Sequence, residues 1–200
     1  ACQHAITTTV SPRLVQILSA THAVRVRSGN REDCLSQLVT GEVDIAVIYD
    51  SPHGAPRADS RAFVERSIGT EPLIAVCAPA LAQVAHSQQL PIIAYPADVF
   101  LGLVLDRGVL SRLPAGTQVV RKVETALTLA ACQYAKDGIG VAWLPKSVAD
   151  QPVAQGHLVH AGLDTPNLML DVRMIRLADP IRPAALTCWD TLQQALRPPE

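Results

Sequence analysis

The chain has 200 residues, 48% hydrophobic but only 4% aromatic, with a formal net charge of −1. That suffices for one domain or two small ones, with cores of Ala, Val, Leu and Ile, and the aliphatic bias suits buried parallel strands flanked by helices. It leaves no electrostatic footprint for nucleic acid, no stretch long and apolar enough to span a bilayer, and no basic-then-apolar opening of a signal peptide.

Residues 1–6 read as the end of a first strand. Thr7-Thr8-Thr9 and Pro12 then start a helix over Pro12–Ala20, with Leu14, Val15, Ile17 and Leu18 as its apolar positions. Val24 to Ser28 alternates like a half-exposed strand, and Gly29-Asn30 turns the chain. Arg31 to Thr40 is helical, Gly41 ends it, and Val43 to Tyr49 is a buried strand broken only by Asp44. This β-α-β-α-β order requires crossovers and a parallel sheet. Ser51 to Ala58 reads as a loop, Phe63 to Ile68 and Leu73 to Cys77 as two strands. A second α/β unit follows. Its strands are Pro91–Tyr95, Thr117–Val123 and Ile139–Trp143, and its helices Val99–Leu113 and Thr125–Lys136. Leu168 to Leu177 is a further strand, and Pro180 to Leu196 a closing helix with Leu186, Trp189, Leu192 and Leu196 near helical spacing.

Cys2, Cys34, Cys77, Cys132 and Cys188 are widely and irregularly spaced. The odd count argues against a disulfide framework and for buried, reduced thiols. No G-x-S-x-G, P-loop, H-E-x-x-H or G-x-G-x-x-G occurs, so no enzyme is expected, and no cofactor. His157 and His160 alone approach metal spacing, in a short loop, and no metal site is expected.

Two segments carry a family resemblance. Leu38-Val39-Thr40-Gly41-Glu42-Val43-Asp44-Ile45-Ala46-Val47 fits an L-x-x-G-x-[LV]-D-[LI]-A-[IV] pattern. About a hundred residues later, Lys136-Asp137-Gly138-Ile139-Gly140-Val141-Ala142-Trp143-Leu144-Pro145 fits [AK]-x-G-[IL]-G-[IV]-x-x-[LM]-P. In order and spacing the chain resembles the regulatory domain of LysR-type transcriptional regulators. Trp143, where many members carry Leu or Ile, resembles the subgroup that includes the hypochlorite-responsive regulator. The resemblance implies an α/β fold like a type 2 periplasmic binding protein, with two Rossmann-like lobes joined by hinge passages near residues 69–75 and 167–173. Lobe I is expected over 1–70 plus 171–200, and lobe II over 71–170. It implies a small-molecule effector, in this family commonly a carboxylate, bound between the lobes. It implies a homodimer of this domain, a tetramer when full length, a cytoplasmic location, and DNA binding only through an N-terminal winged helix-turn-helix outside this chain. A free-standing solute-binding protein for a small anion is the alternative. It implies a structural Asp44, bonded to nearby backbone at the start of a strand.

In such a fold ligands sit at the carboxyl ends of strands, against helix N-termini with unpaired N–H groups. Those ends carry His4, Thr7 and Thr8 after the first strand, Asn30 and Arg31 after the second, Tyr95 and Phe100 after the strand opening lobe II, and Thr125 at a helix start. These are the candidate effector residues. Each has a plainer reading: Thr7, Thr8 and Thr125 as helix caps, Tyr95 and Phe100 as packing, Arg31 as a solvated helix-end residue where many members place Ser or Thr, His4 as structural. Oxidant sensing through methionine has little to draw on, with only Met169 and Met174 present.

Overall fold

The computed structural model describes residues 1–54, 61–83, 89–163, 168–179 and 182–196. The fold is α/β, with two compact units. Unit 1 comprises Ala1–Asp50, Pro56–Thr70 and Asp171–Glu200; unit 2 comprises Ser51–Ala55 and Glu71–Leu170. Part of the expected Ser51–Ala58 loop, the first two positions of the expected closing helix, and residue 167 of the second expected hinge passage lie outside the described residues.

Unit 1 is built on β1 (Cys2–Gln3), β2 (Ser28–Gly29), β3 (Ala46–Asp50), the first half of β4 (Phe63–Cys77), and β9 (Leu168–Leu177). β1 pairs in parallel with β2 and β3, and β9 lies antiparallel to β3 with Val47 opposite Met174. Only part of Val24–Ser28 becomes strand: β2 is Ser28–Gly29, Val24, Arg25 and Val26 are exposed, and Arg27 meets β1 only through its carbonyl, which accepts the Cys2 N–H at 2.8 Å. Phe63–Ile68 and Leu73–Cys77, expected as separate strands, are one fifteen-residue strand. Gly69 and Pro72 suggest a break in sequence, yet this strand runs from one unit into the other.

Helices supply the crossovers. The expected helix at Pro12–Ala20 is α2 (Ser11–Leu18), and a further helix, α1 (His4–Thr9), precedes it across Val10, starting in residues expected to end the first strand, which is only Cys2–Gln3. Pro12 has no N–H to continue the ladder, and Ser11 turns its hydroxyl back to the carbonyl of Thr7 at 2.6 Å. Helix α3 (Arg31–Val39) buries Cys34 and Leu38, one turn apart, against Ala46, Ile48 and Ile175. Its end explains the first motif. Gly41 sits at φ +73°, so its N–H reaches the carbonyl of Leu38 while the N–H of Glu42 reaches that of Gln37. This two-bond closure needs a left-handed residue, the natural place for glycine. Asp44, three residues on, accepts from the guanidinium of Arg182 at 2.7 and 2.8 Å. That corrects the expected backbone-bonding role. Helix α7 (Pro183–Ala195) closes unit 1, with Arg176 stacked 5.3 Å from the ring centroid of its buried Trp189.

Unit 2 contains β5 (Gln89–Ala94) and β6 (Gln118–Glu124), paired in parallel, and a second group in which β4 takes β7 (Ala142–Pro145) and β8 (Val159–His160) antiparallel. Leu90, Ile92, Ile93, Val141 and Leu144 are fully buried. Helix α4 (Phe100–Gly108) ends earlier than the pattern suggests, and Leu110–Arg112 forms a separate 3-10 turn. Helix α5 (Thr128–Lys136) begins three residues later than expected. It ends by the same device as α3, with Gly138 at φ +75° and the Ile139 N–H on the Tyr134 carbonyl. Gly140 lets the chain approach β5 closely, because a Cβ there would stand 3.0 Å from the Pro91 carbonyl oxygen. Helix α6 (Lys146–Ala154) follows Pro145 directly, and the buried Glu71 carboxylate accepts its Ser147 N–H at 2.7 Å.

Candidate functional site

The carboxyl ends of β1 and β2 bring together three polar side chains. β1 runs straight into α1, so His4 is the first helical residue and Thr7 lies one turn on. β2 ends beside them. His4 Nδ1 is 3.0 Å from Ser28 Oγ, and Thr7 Oγ1 is 2.9 Å from the same oxygen. Thr7 Oγ1 also stands 3.2 Å from the carbonyls of Cys2 and Gln3. A hydroxyl has one hydrogen and two lone pairs, so this cluster has capacity to exchange for a ligand. Neither Thr7 nor Thr8 is a helix cap: both lie inside α1, and Thr8 bonds back to Ala5 O at 3.1 Å. Ser28 was not singled out in sequence, although a hydroxyl directly before Gly-Asn at a strand end is a signal that could have found it.

Asn30 does cap. Its side chain accepts from the third helical N–H of α3, and its own N–H donates to Asp33 at 3.1 Å. This reciprocal box satisfies the helix start internally. With Glu32 and Asp33 in its first turn, α3 already carries negative charge where the expectation called for an anion.

Arg31 is not solvated. It is 6% exposed and lines a small pocket in unit 1 with Asp50, Glu65 and Arg173. Arg173 on β9 is the hub of this cluster. Its guanidinium lies 3.1 Å from Asp50, 2.8 Å from Asp171 and 3.0 Å from Glu65. Ser67 also donates to Asp171. These residues stand far apart in sequence, and no local pattern announces them.

In unit 2, Tyr95 and Phe100 are each 1% exposed. The Tyr95 hydroxyl donates to the carbonyl of Trp143 at 3.0 Å, tying the end of β5 to β7. Burial pushes its phenol up, and a bond with the buried Thr128 works against the rise. Phe100 packs where a Cβ on Gly54 would come within 2.3 Å of its ring. The expected exposure of Tyr95 is therefore corrected: large aromatics are scarce here and go to the core. Thr125 is half-buried and precedes α5 by three residues. Its Oγ1 accepts the N–H of Leu127 at 3.1 Å, forming a turn rather than the helix cap.

Four cysteines are buried and Cys188 is half-buried, all as free thiols. Burial pushes every one of them up, Cys34 to about 11, whereas a reactive thiol needs the opposite. Among the described residues no group of three His, Cys, Asp or Glu could hold a metal ion.

A family model described as the LysR substrate binding domain matches residues 1–197. No curated protein matches the chain. Among solved structures, the apo regulatory domain of HypT from Salmonella typhimurium superposes with a TM-score of 0.82 at 19% identity, over 98% of this chain and 92% of that one. Its bromide-bound form gives 0.80 at 20% identity, again over 98% and 92%. VV2_1132, a LysR family transcriptional regulator, gives 0.77 at 23% identity, over 98% of this chain and 67% of that one. Full-length LysG from Corynebacterium glutamicum with bound effector Arg gives 0.70 at 16% identity, over 98% and 68%. At these identities the likeness is one of fold.

Proposed function

The chain belongs to the LysR substrate-binding domain family, and from that premise we propose that it is the effector-sensing part of a transcriptional regulator. A small polar effector carrying acceptor oxygens or a negative charge binds unit 1 at the carboxyl ends of β1 and β2. The observation that carries this is the His4–Ser28–Thr7 cluster, in which the His4 and Thr7 side chains converge on Ser28 Oγ at 3.0 and 2.9 Å. In unit 2, Tyr95 and Phe100 are buried supports of β5 and α4, and Thr125 forms a turn before α5. The bromide bound by HypT supports an anion, while Glu32 and Asp33 favour one met by His4 rather than by α3. Kinship with the hypochlorite-responsive subgroup is distant, at 19% identity. Binding acts on DNA through a winged helix-turn-helix outside this chain. It does so in the cytoplasm and in a tetramer, by favouring one of two conformational states for which the effector has different affinity.

The test is a thermal-shift and calorimetric panel of halides and small carboxylates. At least one should stabilise the chain. His4→Gln or Thr7→Val should then weaken it by about two- to tenfold, the worth of one lost neutral hydrogen bond. A stabilising ligand whose affinity neither substitution changes removes the assignment.

A further inference from the structure

We propose that unit 1 carries a second ligand site, at the amino ends of its strands, for an amphipathic carboxylate with a medium-length hydrocarbon body. A groove of about 390 Å³ opens there between α2, residues 23–27 and α7. It touches Cys2 at the start of β1, Arg27 just before β2, and Val43 to Ile45 before β3. His4, Thr7 and Asn30 follow the opposite ends of β1 and β2. The volume lies in the range of small-molecule pockets, which pair an apolar lining with a few placed polar groups.

The lining follows that description. Leu14 and Leu18 of α2 and Ala185 and Leu192 of α7 are buried along it. Val24 and Val26 are 38% and 40% exposed, leaving apolar surface in water that a hydrocarbon body would cover. The rim carries three guanidiniums and two carboxylates. Arg27 pairs with Glu42 and Arg182 with Asp44. Arg25 makes no hydrogen bond or ion pair among the described residues, so the rim holds one cation to spare. A bare inorganic anion would gain nothing from the apolar lining, and a neutral hydrocarbon nothing from Arg25. A monoanionic headgroup on an apolar body uses both.

Octanoate is the probe and Cys188 the reporter. Cys188 lines the groove and is half-buried, while the other four thiols are buried. Saturating octanoate should slow alkylation of Cys188 by iodoacetamide about three- to tenfold, since a pocket covers most of its ligand. Arg25→Gln should weaken octanoate about two- to fivefold, as should exchanging it for 1-octanol, the range of a solvent-exposed charge contact. Ala184→Trp, at an exposed position on the groove wall, should abolish the heat of octanoate binding. Thr7→Val should leave octanoate unaffected, which separates this site from the effector site. The proposal fails if octanoate gives no protection, or if its heat survives Ala184→Trp. It fails too if Cys188 is shielded without ligand in proportion to protein concentration, because a second copy then covers the groove.

Discussion

Cys34 packs among Leu38, Ala46, Ile48 and Ile175, and burial raises its thiol from 9.0 to about 11 against a smaller opposing bond with the Gly29 backbone. The protonated thiol is therefore the form that the fold holds. Below about pH 9 both states keep the proton and stability is unaffected. From there to about pH 11 the unfolded chain releases it first, and the fold loses up to about 3 kcal/mol. Urea midpoints measured from pH 8 upward should fall across that window, and fall less in Cys34→Ala once its lower baseline is subtracted. A different constraint acts at Gly102. A Cβ there would lie 1.9 Å from the Pro96 carbonyl oxygen, which is backbone and cannot swing aside. Gly102→Ala should cost about 1–3 kcal/mol, the cost of overpacking, read as a lower melting temperature. At this scale the sequence was legible where a residue acts on its neighbours. Gly41 and Gly138 end helices as their positions foretold. It was opaque where the partner is distant. Asp44 finds Arg182, and Ser28 finds His4 and Thr7, through folding alone.

Helices and strands were legible in kind, less so in extent. Leu168–Leu177 stands as the strand expected, end to end. The expected helix at Pro12–Ala20 stands as α2, with Pro12 in its first turn, but the helical turn at His4–Thr9 was not legible, because Thr7, Thr8 and Thr9 read as a helix start rather than as helix interior. What periodicity cannot show is how elements are fastened. Arg173 on β9 meets Asp50 at the end of β3, Glu65 on β4 and Asp171 on its own strand. Asp50 and Asp171 are residues at which the chain passes between unit 1 and unit 2. Removing the guanidinium strands three carboxylates in a partly buried setting, at 7%, 22% and 25% exposure. A fully buried broken pair costs about 3–5 kcal/mol; with this much solvent, Arg173→Met should cost about 1–3 kcal/mol. Adding Glu65→Gln to that variant should restore part of the loss in urea unfolding. Strict additivity of the two substitutions would show that the cluster is no clamp.

For the molecule as a whole, charge and exposed apolar surface set what it can meet. With a net charge of −1, the chain has little to gain from counterion release. Electrophoretic mobility shift at physiological salt should show no sequence-specific binding of duplex DNA by this chain alone. Association with its own kind is another matter. The outward positions of α2 are Pro12, Arg13 and Gln16, with Ser19 at its end, which offer shape and hydrogen bonds but little apolar area. Near α5, Leu127 and Leu129 are 50% and 52% exposed, with Ile139 beyond the helix at 37%. Half-exposed leucines of this size gain from coverage at roughly 25 cal/mol per Å². We expect a homodimer in which this apolar end of α5 meets the partner's α2. A standard-size interface of that kind should hold at tens of micromolar, about 6 kcal/mol of association free energy. Leu129→Glu places a charge at the centre of the contact without touching either core. Sedimentation velocity should then show dimer for the parent chain and monomer for the variant at the same concentration. A parent chain that sediments as a monomer throughout that range would mean that these leucines are covered by something other than a second copy.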